Sequence, residues 1–244
     1  QPKANRADVA YIIASINFMF PSAKLNISDV ESTWAGLRPL IHQEGKSPSE
    51  LSRRDEIFYS ESGLISIAGG KLTGYRKMAE RVLNFVYKTM RKKSCSVTQN
   101  LALSGGDFDS PEAIQAFIYR SFGESKQLEI SRAAIQKLFS KYGRNISKII
   151  DKAYELKPSL KDSNRCLLQA EVWYVIHYEM TTNLCDFFIR RTGMLYFERP
   201  AIAAVYLEVA DMMASALKWS EAQKAEAIQE FEQEYQDVMS FQKA

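Results

Sequence analysis

Gly69-Gly70-Lys71 is the run in this 244-residue chain whose residue types and spacing best suit chemistry. Two glycines let the backbone approach a flat or anionic group, the helix start that follows offers unpaired N–H donors at a positive dipole end, and Lys71 adds a full charge. A guest that carries or develops negative charge fits such a turn. Arg38, Arg53 and Arg54 are the cations that could join it, since two guanidinium groups and an ammonium converging would grip a phosphate dianion bidentately. In an extended segment Arg53 and Arg54 fall on opposite faces, so at most one of them shares a site with Arg38 and Lys71. The turn is not a phosphate-binding P-loop, because Leu72 stands where Ser or Thr is required. No G-x-G-x-x-G occurs in the chain, so the usual dinucleotide cradle is missing as well.

A second group of charges, Glu179, Asp186, Arg190 and Arg191, could form a catalytic cluster. Opposite charges on adjacent helices need no more than a structural ion-pair network, which is the preferred reading. His42 and His177 have no partners at ligand spacing, and His177 reads as a helix residue satisfied by a neighbour. Cys95, Cys166 and Cys185 are odd in number and far apart, giving neither a disulfide framework nor a zinc pattern. No metal site is expected, and a reducing cytoplasm fits this cysteine usage.

The elements that must position these groups follow from periodicity. Residues 64–68 are an apolar run of strand length that stops at the glycine pair, and Leu51 to Ser60 is its hairpin partner across Glu61-Ser62-Gly63. After the turn, Tyr75, Met78, Ala79, Val82, Leu83, Val86 and Met90 make one apolar stripe of a helix, read as core. Arg91, Lys92 and Lys93 then cap its negative end. Upstream, residues 7–19 form an amphipathic helix expected to pack on a sheet, closed by Pro21. Thr33 to Ile41 reads as a strand. One of its faces carries Trp34, Gly36 and Arg38, leaving room for a flat ligand beside a cation, though an edge strand with a solvated arginine is equally consistent. Residues 42–50 are a polar surface connection.

Ser94 to Pro111 is a loop-rich connector and the expected domain boundary, beyond which the chain is helical. Helices are expected from Ser110-Pro111 to about Gly123, then at about 128–142, 145–156, 164–181, 183–192, 200–217 and 221–241. Short links between them predict a bundle. A composition of 46% hydrophobic and 25% charged residues is that of an ordinary soluble protein, and the apolar runs fall short of a membrane span. The net charge of +3, with the signs interspersed, is too weak and even for nucleic acid. Gln1 to Arg6 is no signal peptide, and a start without Met is what a fragment would have.

Taken in order, Asp8-Val9 with Asn17 to Pro21, Ser32-Thr33-Trp34-Ala35-Gly36-Leu37-Arg38-Pro39-Leu40, Leu51-Ser52-Arg53, Gly63 to Glu80, Leu103-Ser104-Gly105-Gly106 and Asp186 to Thr192 resemble the C-terminal part of FAD-dependent glycerol-3-phosphate dehydrogenases. The resemblance covers essentially the whole chain. It implies an α+β fold: residues 1–98 as the last part of an FAD- and substrate-binding antiparallel sheet domain, and residues 99–244 as an all-α helical bundle domain. The glycine fingerprint of the FAD domain is not in these residues, so the fragment alone is expected to be inactive and to have the missing N-terminal half as its partner.

By the same resemblance, Arg38 and Arg53 bind the substrate, with Arg54 as the alternative if the register is off by one, and Lys71 is the active-site lysine. Gly69, Gly70, Leu72 and Thr73 would form the backbone cradle for the flavin. A second threonine usual in the family is here Gly74. The implied reaction removes a proton from the C2 hydroxyl of sn-glycerol 3-phosphate and passes hydride to the flavin, giving dihydroxyacetone phosphate. Arg38 and Lys71 act in catalysis, Lys71 by stabilising charge that grows on the flavin. The general base is expected in the absent half. Electrons would go to a quinone, from the cytoplasm or peripherally at the inner face of the membrane. An α-glycerophosphate oxidase, which uses O2, is the rival, and the short interval after Ile41 favours the dehydrogenase. A third reading makes the helical part a docking module.

Overall fold

The computed structural model describes residues 2–37, 41, 55–93, 96–158 and 162–242. They are mostly helical, with one two-stranded antiparallel sheet among the described residues. The chain forms two compact units, one of residues 1–36 with 103–244 and one of residues 37–102.

In the smaller unit β1 (Asp55–Tyr59) and β2 (Ile65–Gly69) pair in the register Asp55↔Gly69, Ile57↔Ile67 and Tyr59↔Ile65. The expected Glu61-Ser62-Gly63 turn joins them, closed by the Ser60 amide donating to the Leu64 carbonyl at 3.0 Å, with Gly63 at φ 85°. The helix that follows the GGK turn is Tyr75–Thr89. Its predicted apolar stripe divides in two. Met78, Val82 and Val86 are half-buried, and Phe85 meets Tyr59 edge-on at 5.8 Å. Tyr75, Ala79 and Leu83 stay exposed, because a two-stranded hairpin is too narrow to cover a full helix face.

The larger unit opens with α1 (Arg6–Met19), held at its start by a capping box of Asn5 and Asp8. Counting Tyr75–Thr89 as α2, its bundle continues with α3 (Pro111–Glu124), α4 (Arg132–Tyr142), α5 (Ile146–Leu156) and α6 (Ser163–Tyr178). A π-helix, Asp186–Arg191, and the short α7 (Met194–Phe197) and α8 (Arg199–Ile202) come next, then α9 (Tyr206–Leu217) and α10 (Glu221–Asp237). Caps explain several boundaries. Ser110 accepts from the Ala113 amide with Pro111 at the first helical position, and Ser220 and Gln223 cap each other. The helix expected from 128 starts later, at the Ser131 cap, because Glu129 sits at φ 54° and interrupts the pattern. Residues 200–217, read as one helix, break into α8 and α9.

Ile146, Ile149, Ile150 and Ala153, one face of α5, are buried against α6, where Cys166, Ala170 and Val175 are buried. Phe187, Phe188 and Phe231 form the other centre, with Phe188 and Phe231 ring centroids 4.7 Å apart. Each such side chain contributes about 1.5–3 kcal/mol relative to exposure. Two glycines join loop and bundle. Gly105 and Gly143, both at positive φ, lie backbone against backbone, so that a Cβ on Gly143 would fall 2.0 Å from the Gly105 carbonyl oxygen. The Arg144 amide donates to that carbonyl at 2.9 Å.

Residues 1–36 depart from expectation. Helix α1 packs within the helical unit, where Val9 is its buried residue, while Ile12, Phe18 and Phe20 are exposed. The described residues from Val30 to Leu37 form no ladder. Instead Ser32 Oγ donates to the Tyr196 carbonyl at 2.7 Å, and the Thr33 amide and hydroxyl both donate to the Val238 carbonyl at 2.8 and 2.7 Å. Among the described residues no helix is long and apolar enough to cross a membrane.

Candidate functional site at the GGK turn

The Gly69-Gly70-Lys71 turn needs backbone conformations closed to other residues. Gly69 has φ 76° and Gly70 has φ 87°, so the chain leaves β2 through two successive left-handed positions. A Cβ on Gly70 would lie 2.5 Å from Met78 Sδ and 3.3 Å from Asp55 Cβ, against the wall formed by the helix and β1. The helix begins at Tyr75, the first residue of the apolar stripe, a few residues after the glycine pair. A 3-10 turn, Leu72–Gly74, intervenes, closed by the Gly74 amide donating to the Lys71 carbonyl at 2.8 Å, and α2 starts at Tyr75.

These residues border an open cleft of about 510 Å³, floored by Ile67, Met78, Ala79, Val82 and Leu83, with Lys71 and Leu72 at its lip. Leu72 is 91% exposed, and Lys71 and Thr73 are exposed. Arg76 pairs with Glu80 at 2.7 Å, Lys77 also pairs with Glu80, and Arg81 pairs with Asp55. Hydrogen bonds from Lys77 and then Arg76 hold the Glu80 carboxyl below its usual value. Lys71 has no carboxylate partner among the described residues, so its charge is available to a guest. An apolar floor with one cation and two side-chain-free backbone units at the rim suits a flat aromatic ring system that gains negative charge at one edge.

Arg38 and Arg53, the other predicted site residues, lie outside the described residues, as do Arg54, His42 and Cys95. Trp34, expected to share a ligand-facing surface with Arg38, packs its ring on Tyr196 at 4.6 Å and on Phe197 at 6.0 Å.

The second group of charges is structural. Asp186 Oδ2 accepts from the Thr182 amide and hydroxyl, both at 2.9 Å, and Oδ1 accepts from Arg190 at 2.8 Å. Burial works against the Asp186 carboxylate, but these hydrogen bonds outweigh it and hold the carboxyl below its ordinary value. Arg191 Nε donates to the Glu179 carbonyl at 2.7 Å, and burial, with Glu171 nearby and Arg191 opposing, pushes the Glu179 carboxyl up. His177 Nδ1 lies 2.8 Å from the Trp173 carbonyl oxygen. Sequence reasoning passed over a buried network on α4 and α6, in which Glu171 accepts from Tyr142 at 2.7 Å and Lys141 at 3.2 Å. Its one signal was a charged residue inside the apolar stretch of α6. Cys166 and Cys185 are buried, and burial pushes the Cys185 thiol up to about 11.

Residues 96–224, most of the helical unit, match the family described as the C-terminal domain of alpha-glycerophosphate oxidase. The chain belongs to this family. Within it, the chain is 40% identical over 230 residues to the aerobic glycerol-3-phosphate dehydrogenase of Bacillus subtilis (strain 168), covering 91% of this chain and 41% of that protein. Against the aerobic glycerol-3-phosphate dehydrogenase of Staphylococcus aureus (strain USA300) it is 40% identical over 239 residues, covering 95% of this chain and 42% of that protein. The X-ray structure of the glycerol-3-phosphate dehydrogenase from Bacillus halodurans complexed with FAD superposes with a TM-score of 0.85 at 36% identity, over 99% of this chain and 47% of that one. The chain therefore spans less than half the length of the relatives it matches. The family resemblance carried by its motifs is borne out.

Proposed function

We propose that the chain is the C-terminal portion of an FAD-dependent glycerol-3-phosphate dehydrogenase that oxidises sn-glycerol 3-phosphate to dihydroxyacetone phosphate and delivers the electrons to a quinone. The observation that carries this reading is the 40% identity to an aerobic glycerol-3-phosphate dehydrogenase across 91% of the chain. The GGK cleft supports it, because its shape and single cation suit an isoalloxazine ring.

FAD, when bound, supplies the two-electron acceptor. The protein's own residues do the rest. The backbone at Gly69, Gly70, Leu72 and Thr73 would hold the ring, and the Lys71 ammonium would stabilise negative charge growing on it, an electrostatic contribution of the oxyanion-hole kind. Arg38 and Arg53 hold the phosphate, so that binding energy remote from the reacting carbon orients the C2 carbinol. In the full-length protein the unit of residues 37–102 contributes to the FAD- and substrate-binding domain, and residues 103–244, with residues 1–36, form the helical domain. The enzyme works from the cytoplasm, peripheral to the inner face of the membrane where a quinone is reached.

Lys71→Ala and Arg38→Ala in the full-length protein test the site. Each is expected to lower kcat/KM for sn-glycerol 3-phosphate by about 10²-fold or more, the scale of removing one preorganised charge-stabilising group. Unchanged kcat/KM in both variants removes them from the mechanism. The family description, alpha-glycerophosphate oxidase, favours a second reading in which O2 is the acceptor. Stoichiometric peroxide from the full-length protein without added acceptor would select it.

A further inference from the structure

Helix α1 carries more apolar surface than the helical unit covers. Between Arg6 and Lys24 the only charged residue is Asp8. Val9, Ile12, Ile13 and Ile16 follow the i, i+3, i+4, i+7 spacing of one stripe, and Tyr11 and Phe18, seven residues apart, lie together on the opposite side. A helix apolar on opposite sides is one that is covered on both. Here neither side is closed. The first stripe, with Leu25, Val30 and Trp34 of the segment that returns past it, walls an open groove of about 390 Å³. The return is fixed, because the Asn17 side chain donates to the Leu25 carbonyl and accepts from the Leu25 amide, both at 2.8 Å. Ile12 in this groove is 55% exposed, and on the other side Tyr11 is 74% and Phe18 82% exposed. Contiguous apolar surface of this kind marks an interaction site.

Charge narrows the choice of partner. A helix that lies on lipid carries lysines and arginines on its polar face. At the lip of this groove stand Asp8 and Asp29 instead, each accepting a hydrogen bond from a capping amide and neither with a cationic partner among the described residues. An anionic membrane surface would be repelled there. The chain covers 41% and 42% of the two dehydrogenases compared above, so more than half of a protein of that length lies outside these residues. Polypeptide joined to this chain meets the face at an effective concentration that a separate molecule does not reach. We propose that the groove and the face of Tyr11 and Phe18 dock an apolar element of the portion that this chain lacks, so that α1 is shared between the helical unit and that portion. This docking role rests on the reading of the chain as the C-terminal portion of a longer dehydrogenase, and it is independent of Lys71 and Arg38.

The test uses the full-length FAD-loaded protein, with the photo-crosslinking residue p-benzoylphenylalanine placed in turn at Tyr11, Ile12 and Phe18. Irradiation is expected to join each position to a peptide N-terminal to Gln1 of the same chain, identified by mass spectrometry, with the protein still running as a single chain under denaturing conditions. Links between two chains, adducts to phosphatidylglycerol vesicles in place of a peptide, links confined to residues 1–244, or no links at all would each overturn the docking role. Phe18→Cys gives a second measurement. Alkylation at that site, followed by the mass of its peptide, should be about a hundredfold or more slower in the folded protein than in urea, because it waits for a local opening. Equal rates in a variant with wild-type FAD content would overturn the role as well. Lys71→Ala and Arg38→Ala keep the two readings apart. If both leave kcat/KM unchanged while the links map N-terminal to Gln1, the catalytic reading fails alone. If both lower kcat/KM and no such link forms, the docking role fails alone.

Discussion

Tyr142→Phe isolates one hydrogen bond in the bundle core. Tyr142 is 4% exposed, its hydroxyl donates to Glu171 at 2.7 Å, and its ring meets Tyr174 edge-on at 5.1 Å. Phenylalanine keeps the ring contact and the volume, so the change removes a donor without opening a cavity. Lys141, at 3.2 Å, remains as the partner of the Glu171 carboxylate. A hydrogen bond to a charged group is worth about 1.5–3 kcal/mol, which is the expected loss of stability at neutral pH. For a chain of this size that lowers Tm by roughly 3–12 °C. The loss also has a pH signature. Burial, then the neighbouring Glu171 charge, raises the Tyr142 hydroxyl above its ordinary value, so the folded state keeps its proton where the unfolded state releases it. The contribution is complete below the unfolded value of about 10 and declines as pH rises above it, by about 1.4 kcal/mol per pH unit. Urea unfolding followed by circular dichroism at neutral and alkaline pH measures both effects. A phenylalanine variant with the wild-type midpoint and the wild-type alkaline slope would refute the assignment of this donor.

Gly70→Ala must adopt φ 87° with a Cβ 2.5 Å from Met78 Sδ. Since the methionine end can move, the cost is mainly the left-handed backbone, about 1–2 kcal/mol, read as a lower Tm and, in the full-length protein, lower FAD content. Asp186→Asn should flatten acid unfolding. The Asp186 carboxyl is held below its ordinary value, so its contribution is present above the unfolded value of about 3.9 and lost as pH falls through the folded one. An acid titration in which the wild type and the asparagine variant lose stability in parallel would contradict this.

What was legible in the sequence was local. The caps at Ser110 and Ser220, the hairpin turn at Glu61-Ser62-Gly63 and the tight turn at Gly69 and Gly70 each depend on neighbours a few residues away, and each is present. The π-helix was not legible. Its register is set by Thr192, whose amide and hydroxyl both donate to the Phe187 carbonyl at 3.0 and 2.7 Å, and a reading built on 3.6 residues per turn has no place for it. The destination of residues 30–37 was equally hidden. An alternating pattern predicts an extended backbone, but which partner takes its donors depends on carbonyls about 160 and 200 residues away in the chain. Of the candidate site, the turn and Lys71 border an open cleft, while Arg38 and Arg53 lie outside the described residues. The residues between the glycine pair and Tyr75 read only as turn in the sequence, and the structure gives them the form of a 3-10 turn, Leu72–Gly74.

Gly105 and Gly143 are far apart in sequence, yet both are closed to side chains by the same tight approach of backbone to backbone. A Cβ on Gly143 would meet the Gly105 carbonyl and one on Gly105 would meet the Tyr142 carbonyl, and because the obstacle on both sides is backbone, no compensating side-chain change elsewhere in the sequence can relieve it. The helices around this junction can therefore change their surface charges freely, while a side chain at either glycine would force the backbone of the junction itself to move. A mutational library would find no double substitution there that rescues a single one.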